Sequence, residues 1–235
     1  VQSPYPMEHQ SCIAVGKYYD EQLILHETAH ERWRNSVSIV DNADIWIHEA
    51  FATYAESLYI EETLGYDIGQ EYLKSRKNDI HNDYPIVGIS GVNHFHYRIE
   101  DKYFKGALML NTLRHLVNND QLWFSTLKSI QLEFKHSSIS TERILTYISN
   151  KLGKEYKTFF DQYLYTTKIP VLEIKQANGQ STSRWINAVE NFSMRLTIND
   201  THWDVTTEWT SINVDVNDSI IGQLQSKYLI KVVIL

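Results

Sequence analysis

Apolar positions recur at helical spacing through the first 170 residues and then give way to short β-like runs, so the chain reads as two regions of different period. Cys12-Ile13-Ala14-Val15, between a proline-containing start and Gly16, predicts a strand within residues 1–18. Asp20 is a good N-cap with Glu21 in the first turn, and predicts a helix from there to about Asn35. A short connection, 36–43, leads to a second helix capped by Asn42 or Asp44, carrying Ile45, Trp46, Phe51, Ala52 and Leu58, and stopped at Leu64-Gly65. So short a link favours antiparallel packing of the two helices. A third helix is expected from Asp67 to about Lys77, followed by an irregular stretch from His81 to Ile99. Further helices are predicted at 101–117, at about 121–135 behind Asp120, from Thr141-Glu142 to Leu152 before the break at Gly153, and at 154–166. The stripe Tyr156, Phe159, Phe160, Tyr163 and Leu164 in the last of these reads as core.

Beyond Ile169-Pro170 the β-like runs begin near Val171, Arg184, Phe192, Trp203 and Tyr228, and Asn178-Gly179 is a hairpin-turn signal. The fold class that follows is α+β: a mostly helical domain, 1–170, and then a small β-sandwich, 171–235. About 65 residues is lean for a sandwich, which typically takes ~100. Composition permits this arrangement, since 235 residues with 43% hydrophobic content suffice for one large domain or one with a small companion.

Net charge narrows the function. At −7 the chain lacks the basic excess of a general nucleic-acid or acidic-membrane binder, and it suits attraction of a positively charged amine. No apolar run reaches the ~18 residues of a membrane span. Cys12 is the one cysteine, so no disulfide forms within the chain and no cysteine cluster holds a metal. The chain begins at Val1, with neither Met nor a targeting segment, and is expected to be an excised piece. Localisation and oligomeric state are not read from it.

The chemistry concentrates between His26 and Glu56. His26-Glu27-Thr28-Ala29-His30 is an H-E-x-x-H pentapeptide, expected by chance only about 0.03 times in a chain of this composition. Two imidazoles four apart on a helix share one face and reach one metal ion. Glu49, on the next helix, completes a two-His, one-Glu set of the kind that holds catalytic zinc with one position open. Glu27 then stands beside the ion, where it can deprotonate a zinc-bound water. Glu56 lies two turns after Glu49 and either orients a ligand or occupies plain helix surface. His94 and His96, two apart in the irregular stretch, read as a solvated pair rather than a second metal site.

With H-E-x-x-H-x18-E stand three further stretches: Tyr5-Pro6-Met7-Glu8-His9, Tyr103-Phe104-Lys105-Gly106-Ala107, and Phe159-Phe160-Asp161-Gln162-Tyr163 before Pro170-Val171-Leu172-Glu173. Together these resemble the gluzincin aminopeptidases, the family of aminopeptidase N and leukotriene A hydrolase. The resemblance implies a thermolysin-like catalytic domain followed by a fibronectin-like β-sandwich, with the family's N-terminal domain missing. It implies one Zn2+ on His26, His30 and Glu49, Glu27 as general base, Tyr103 as oxyanion donor, and Glu8 as the binder of the substrate's α-ammonium. The partners implied are peptides with a free N-terminus. The sequence departs from the family pattern at Tyr5, where Gly is usual, at His9, where Asn is usual, and at Arg34, where Gly is usual after the zinc motif. Competing readings of the same residues are a zinc endopeptidase, an epoxide hydrolase, or a non-catalytic scaffold.

Overall fold

A computed structural model describes residues 4–15, 20–92, 100–177, 180–199, 201–212 and 214–235. His94, His96 and the Asn178-Gly179 turn lie outside the described residues.

The centre of the molecule is α2, Trp46–Leu64, whose residues 46–54 are all buried. A helix buried all round belongs inside a fold, not on its surface. Around it pack α1 (Glu21–Ala29), α3 (Tyr66–Ser75) and α4 (Phe104–Val117). The approach of α4 to α2 depends on Gly106, where an added Cβ would sit 2.5 Å from Ala50 Cβ. An ion-pair clamp ties the same helices further along, where Arg114 donates to both oxygens of Glu61 at 2.7 and 2.8 Å. Arg114 also grips Asp120 at the start of α5 (Asp120–Glu133), and α6 (Thr141–Leu152) and α7 (Lys157–Leu164) complete the helical region.

Boundaries differ from the sequence expectations in ways that matter. Asp20 caps α1, accepting from Leu23 N at 2.8 Å, but the helix stops at Ala29 and the segment expected to extend it to about Asn35 is a series of turns. Trp33 leaves the helical path to stack on Phe51 of α2, with ring centroids 4.0 Å apart, and Asn35 N bonds back to His30 O. Neither proposed cap serves α2. Asp44 instead reaches across the fold and accepts from Thr141 N at the start of α6. Among the described residues, the strand expected in 1–18 reduces to one bridge between Met7 and Ala14. Two short strands, β1 (Val37–Ile39) and β2 (Ser137–Ile139), pair in parallel across 100 positions, a contact no local pattern announces.

After residue 170 come β3 (Val171–Ala177), β4 (Gln180–Ile186), β5 (Met194–Ile198), β6 (Thr201–Val205), β7 (Thr210–Ile212), α8 (Asp218–Lys227) and β8 (Lys231–Ile234). They make a four-stranded sheet in the order β7-β4-β3-β8 and a separate β5-β6 ribbon. The helix α8 was not expected. It supplies the crossover that lets β8 lie parallel to β3. This region shares one continuous core with the helices, the aromatic stripe of α7 included. Buried polar bonds cross as well: Tyr163 Oη donates to Leu229 O at 2.8 Å, and Leu229 N to Thr112 Oγ1 at 2.8 Å. No helix among the described residues is long and apolar enough to cross a membrane.

Candidate metal centre

Antiparallel packing of α1 and α2 brings His26, His30 and Glu49 to one point, with one ligand atom from each lying within 4.8 Å of the others. His26 Nε2 and His30 Nε2 are 3.1 Å apart, and Glu49 Oε2 is 3.4 Å from each. The outer nitrogens are spoken for. His26 Nδ1 donates to Glu56 Oε1 at 2.6 Å and His30 Nδ1 to Trp33 O at 3.3 Å. Those bonds place the protons on Nδ1 and turn both Nε2 lone pairs inward. Two imidazole lone pairs and a carboxylate oxygen converging in a buried place need a cation between them. The donor set therefore fits zinc, which takes nitrogen and oxygen ligands from two His and one Glu in catalytic sites.

Electrostatics of the metal-free centre agree with that need. Burial disfavours a charge on His26, yet hydrogen bonds to Glu49 and Glu56 outweigh it and raise its pKa from 6.5 to about 9. A proton thus takes part of the place a metal would fill. Burial opposes ionisation of Glu49, but its bonds to the two histidines hold its carboxyl well below the usual carboxylate range. On the far side of His26, Glu56 is almost fully enclosed, and Tyr72 of α3 donates to its second oxygen, Oε2. Arg76 approaches the same hydroxyl at 3.4 Å.

Glu27 faces the centre from α1. It is buried, and its Oε2 has no hydrogen-bond partner among the described residues. Burial raises its pKa, against the pull of His26 and His30. A buried acceptor without a partner is uncommon and costs stability, so such atoms gather where a reaction needs them. Tyr103 stands at the N-cap of α4, with its ring 5.7 Å from that of His26. Burial first, and then the charge of Glu49, raise its pKa, so the phenol keeps its proton and remains a donor. A cleft of about 610 Å³ opens here, lined among others by Pro6, His26, Glu27, Glu56, Tyr103 and Phe104.

Glu8 is tied to the turns that follow α1. Its backbone oxygen accepts from Asn35 Nδ2 at 3.1 Å, and its side chain pairs with Arg34. The structure thus gathers His26, His30, Glu49, Glu27, Tyr103 and Glu56, while Glu8 is paired with Arg34 and is not among the residues lining the cleft. Three participants were not visible in the sequence. Tyr72 has no spacing relation to Glu56, which lies on a different helix. Arg34 stood out only as a departure from Gly, with no partner implied. Lys105 is fully buried and donates to Thr166 O at 2.7 Å, which ties the Tyr103 end of α4 to the chain after α7.

Solved zinc metallopeptidases share this fold. The M1 zinc metallopeptidase from Deinococcus radiodurans superposes with a TM-score of 0.62 at 26% identity, over 72% of this chain and 39% of that one. A variant of that enzyme, 27% identical over 72% of this chain and 39% of that one, has been solved with a Tyr-Ser-Ala substrate, at a TM-score of 0.61. The Peptidase family M1 domain matches residues 7–163, and the chain belongs to this peptidase family. Curated relatives include human aminopeptidase RNPEPL1, 23% identical over 71% of this chain, and aminopeptidase N of Streptomyces lividans, 28% identical over 68%. The chain covers 26% of the first and 20% of the second, so it spans about a quarter or less of the length of these relatives.

Proposed function

We propose that this chain carries the zinc centre of an aminopeptidase that removes N-terminal residues from peptides with a free α-amino group. The observation that carries the reading is the convergence of His26 Nε2, His30 Nε2 and Glu49 Oε2 beside the buried, unpartnered Glu27 Oε2. Zinc on those three ligands supplies Lewis acidity, polarising the scissile carbonyl and acidifying a water. Glu27, with its pKa raised by burial, takes a proton from the attacking water and passes it to the leaving amine. Tyr103 donates its O–H to the carbonyl oxygen as negative charge grows there. Glu56 holds the His26 ring in its ligating orientation. Glu8 binds the substrate's α-ammonium by a charge-assisted hydrogen bond.

In this reading the catalytic domain is 1–170. The sheet and ribbon of 171–235 act as a small sandwich-like companion, joined where Trp185 of β4 donates to the Thr206 and Val205 carbonyls beside β6, at 2.8 and 3.1 Å. The mechanism is tested with Glu27→Gln. The variant should retain zinc and lose turnover of an aminoacyl anilide by at least ~100-fold. Wild-type turnover would remove Glu27 as the base.

A further inference from the structure

We propose that Arg34 is a specificity-determining residue: its guanidinium sits on Glu8 as a tethered counter-ion, so a substrate's α-ammonium must share or displace it. The inference rests on the reading of Glu8 as the ammonium site. The Glu8 side chain is 10% exposed, so few directions of approach remain to it, and one of its oxygens, Oε1, is already ion-paired with Arg34 Nη1. Arg34 is also held where it is. Trp33 before it is pinned on Phe51, and Asn35 after it bonds both His30 O and Glu8 O.

The Arg34 side chain nevertheless remains 41% exposed. An ion pair with one partner so exposed is weak, and a long side chain can swing into solvent. A free ammonium therefore competes with Arg34 instead of meeting a bare carboxylate. Two consequences follow. Free-amine ligands bind more weakly than Glu8 alone would allow, and the preference for free over blocked N-termini narrows.

The test is calorimetric titration of the zinc-loaded chain with L-leucinamide and with N-acetyl-L-leucinamide. It is run on wild type, Arg34→Gln, Glu8→Gln and the double variant, with circular dichroism and zinc content as folding controls. Arg34→Gln should tighten leucinamide by roughly 5- to 10-fold and leave the acetylated ligand unchanged. Adding Glu8→Gln should abolish that gain. Leucinamide binding that appears only in Arg34→Gln also supports the proposal. Unchanged or weaker leucinamide binding in Arg34→Gln, or no binding in either protein, overturns it. If leucinamide tightens in Arg34→Gln and the gain survives in the double variant, Glu8 is not the ammonium site and both readings fall. If Glu8→Gln weakens binding while Arg34→Gln does not tighten it, Glu8 stands and Arg34 alone is refuted.

Discussion

Two carboxylate–cation pairs stand near the two ends of α1, and they are built differently. Glu56 and His26 stand on facing helices, with side chains 2% and 13% exposed, and Tyr72 closes the remaining oxygen of the carboxylate. Glu8 and Arg34 stand on irregular segments on either side of α1, and Arg34 is 41% exposed. The first pair is locked by packing, which suits the proposed role of orienting a metal ligand, because a misaligned imidazole would lose the ion. The second is held by backbone ties to Asn35 while its charged ends keep freedom to exchange partners. In the proposed reading, rigidity sits where the chemistry must be reproducible, and exchangeable contacts sit where a substrate has to arrive and leave.

The largest effect expected from this contrast is in pH dependence. Zinc takes the neutral imidazole, and His26 in the metal-free protein holds a proton up to about pH 9. Zinc affinity should therefore fall about tenfold for each pH unit below that value, ~100-fold between pH 9 and 7, with one proton released per ion bound. The metal-free protein should show the opposite sign in stability. Because the folded pKa lies above the unfolded one, the contribution of the His26 pair is fully present below about pH 6.5 and is lost as pH rises through about 9. Thermal unfolding with and without zinc across this range checks both. Flat affinity would mean that His26 does not carry the proton.

Next in size is Glu56→Gln, which removes the charge that orients His26. Zinc affinity measured against a competing chelator should drop about 10- to 100-fold, and the pH dependence should shift toward the ordinary imidazole value. An unchanged affinity would place Glu56 on the fold and not on the ligand. The smallest effect belongs to the other pair. Arg34→Ala should change unfolding free energy by less than about 1 kcal/mol, since so exposed a partner contributes little. A larger loss in a denaturant titration would make the two pairs alike and end the contrast.

Much of the site was legible because it is local. H-E-x-x-H needs only the period of a helix to put His26 and His30 on one face, and the short link after it makes α1 and α2 antiparallel neighbours, which returns Glu49 to them. Helices α4 to α7 followed from periodicity and stop signals such as Gly153. Other features depend on residues far apart in the chain. The parallel pairing of β1 with β2, and the bond of Asp44 to Thr141 in place of a cap on α2, join positions about 100 apart. The end of α1 at Ala29 came from tertiary packing too, because the fit of Trp33 on Phe51 overrode a pattern that would have continued the helix.

The sequence by itself determined the two histidines and Glu27 beside them, encoded within one turn of helix, and it pointed to Glu49 and the predominantly helical framework through periodicity and a short link. Only the tertiary structure decided that Glu56 is closed by Tyr72, that Lys105 anchors the Tyr103 end of α4, and that Glu8 already has Arg34 as its counter-ion. Those pairings are chosen by which elements pack together, and no spacing along the chain encodes that choice.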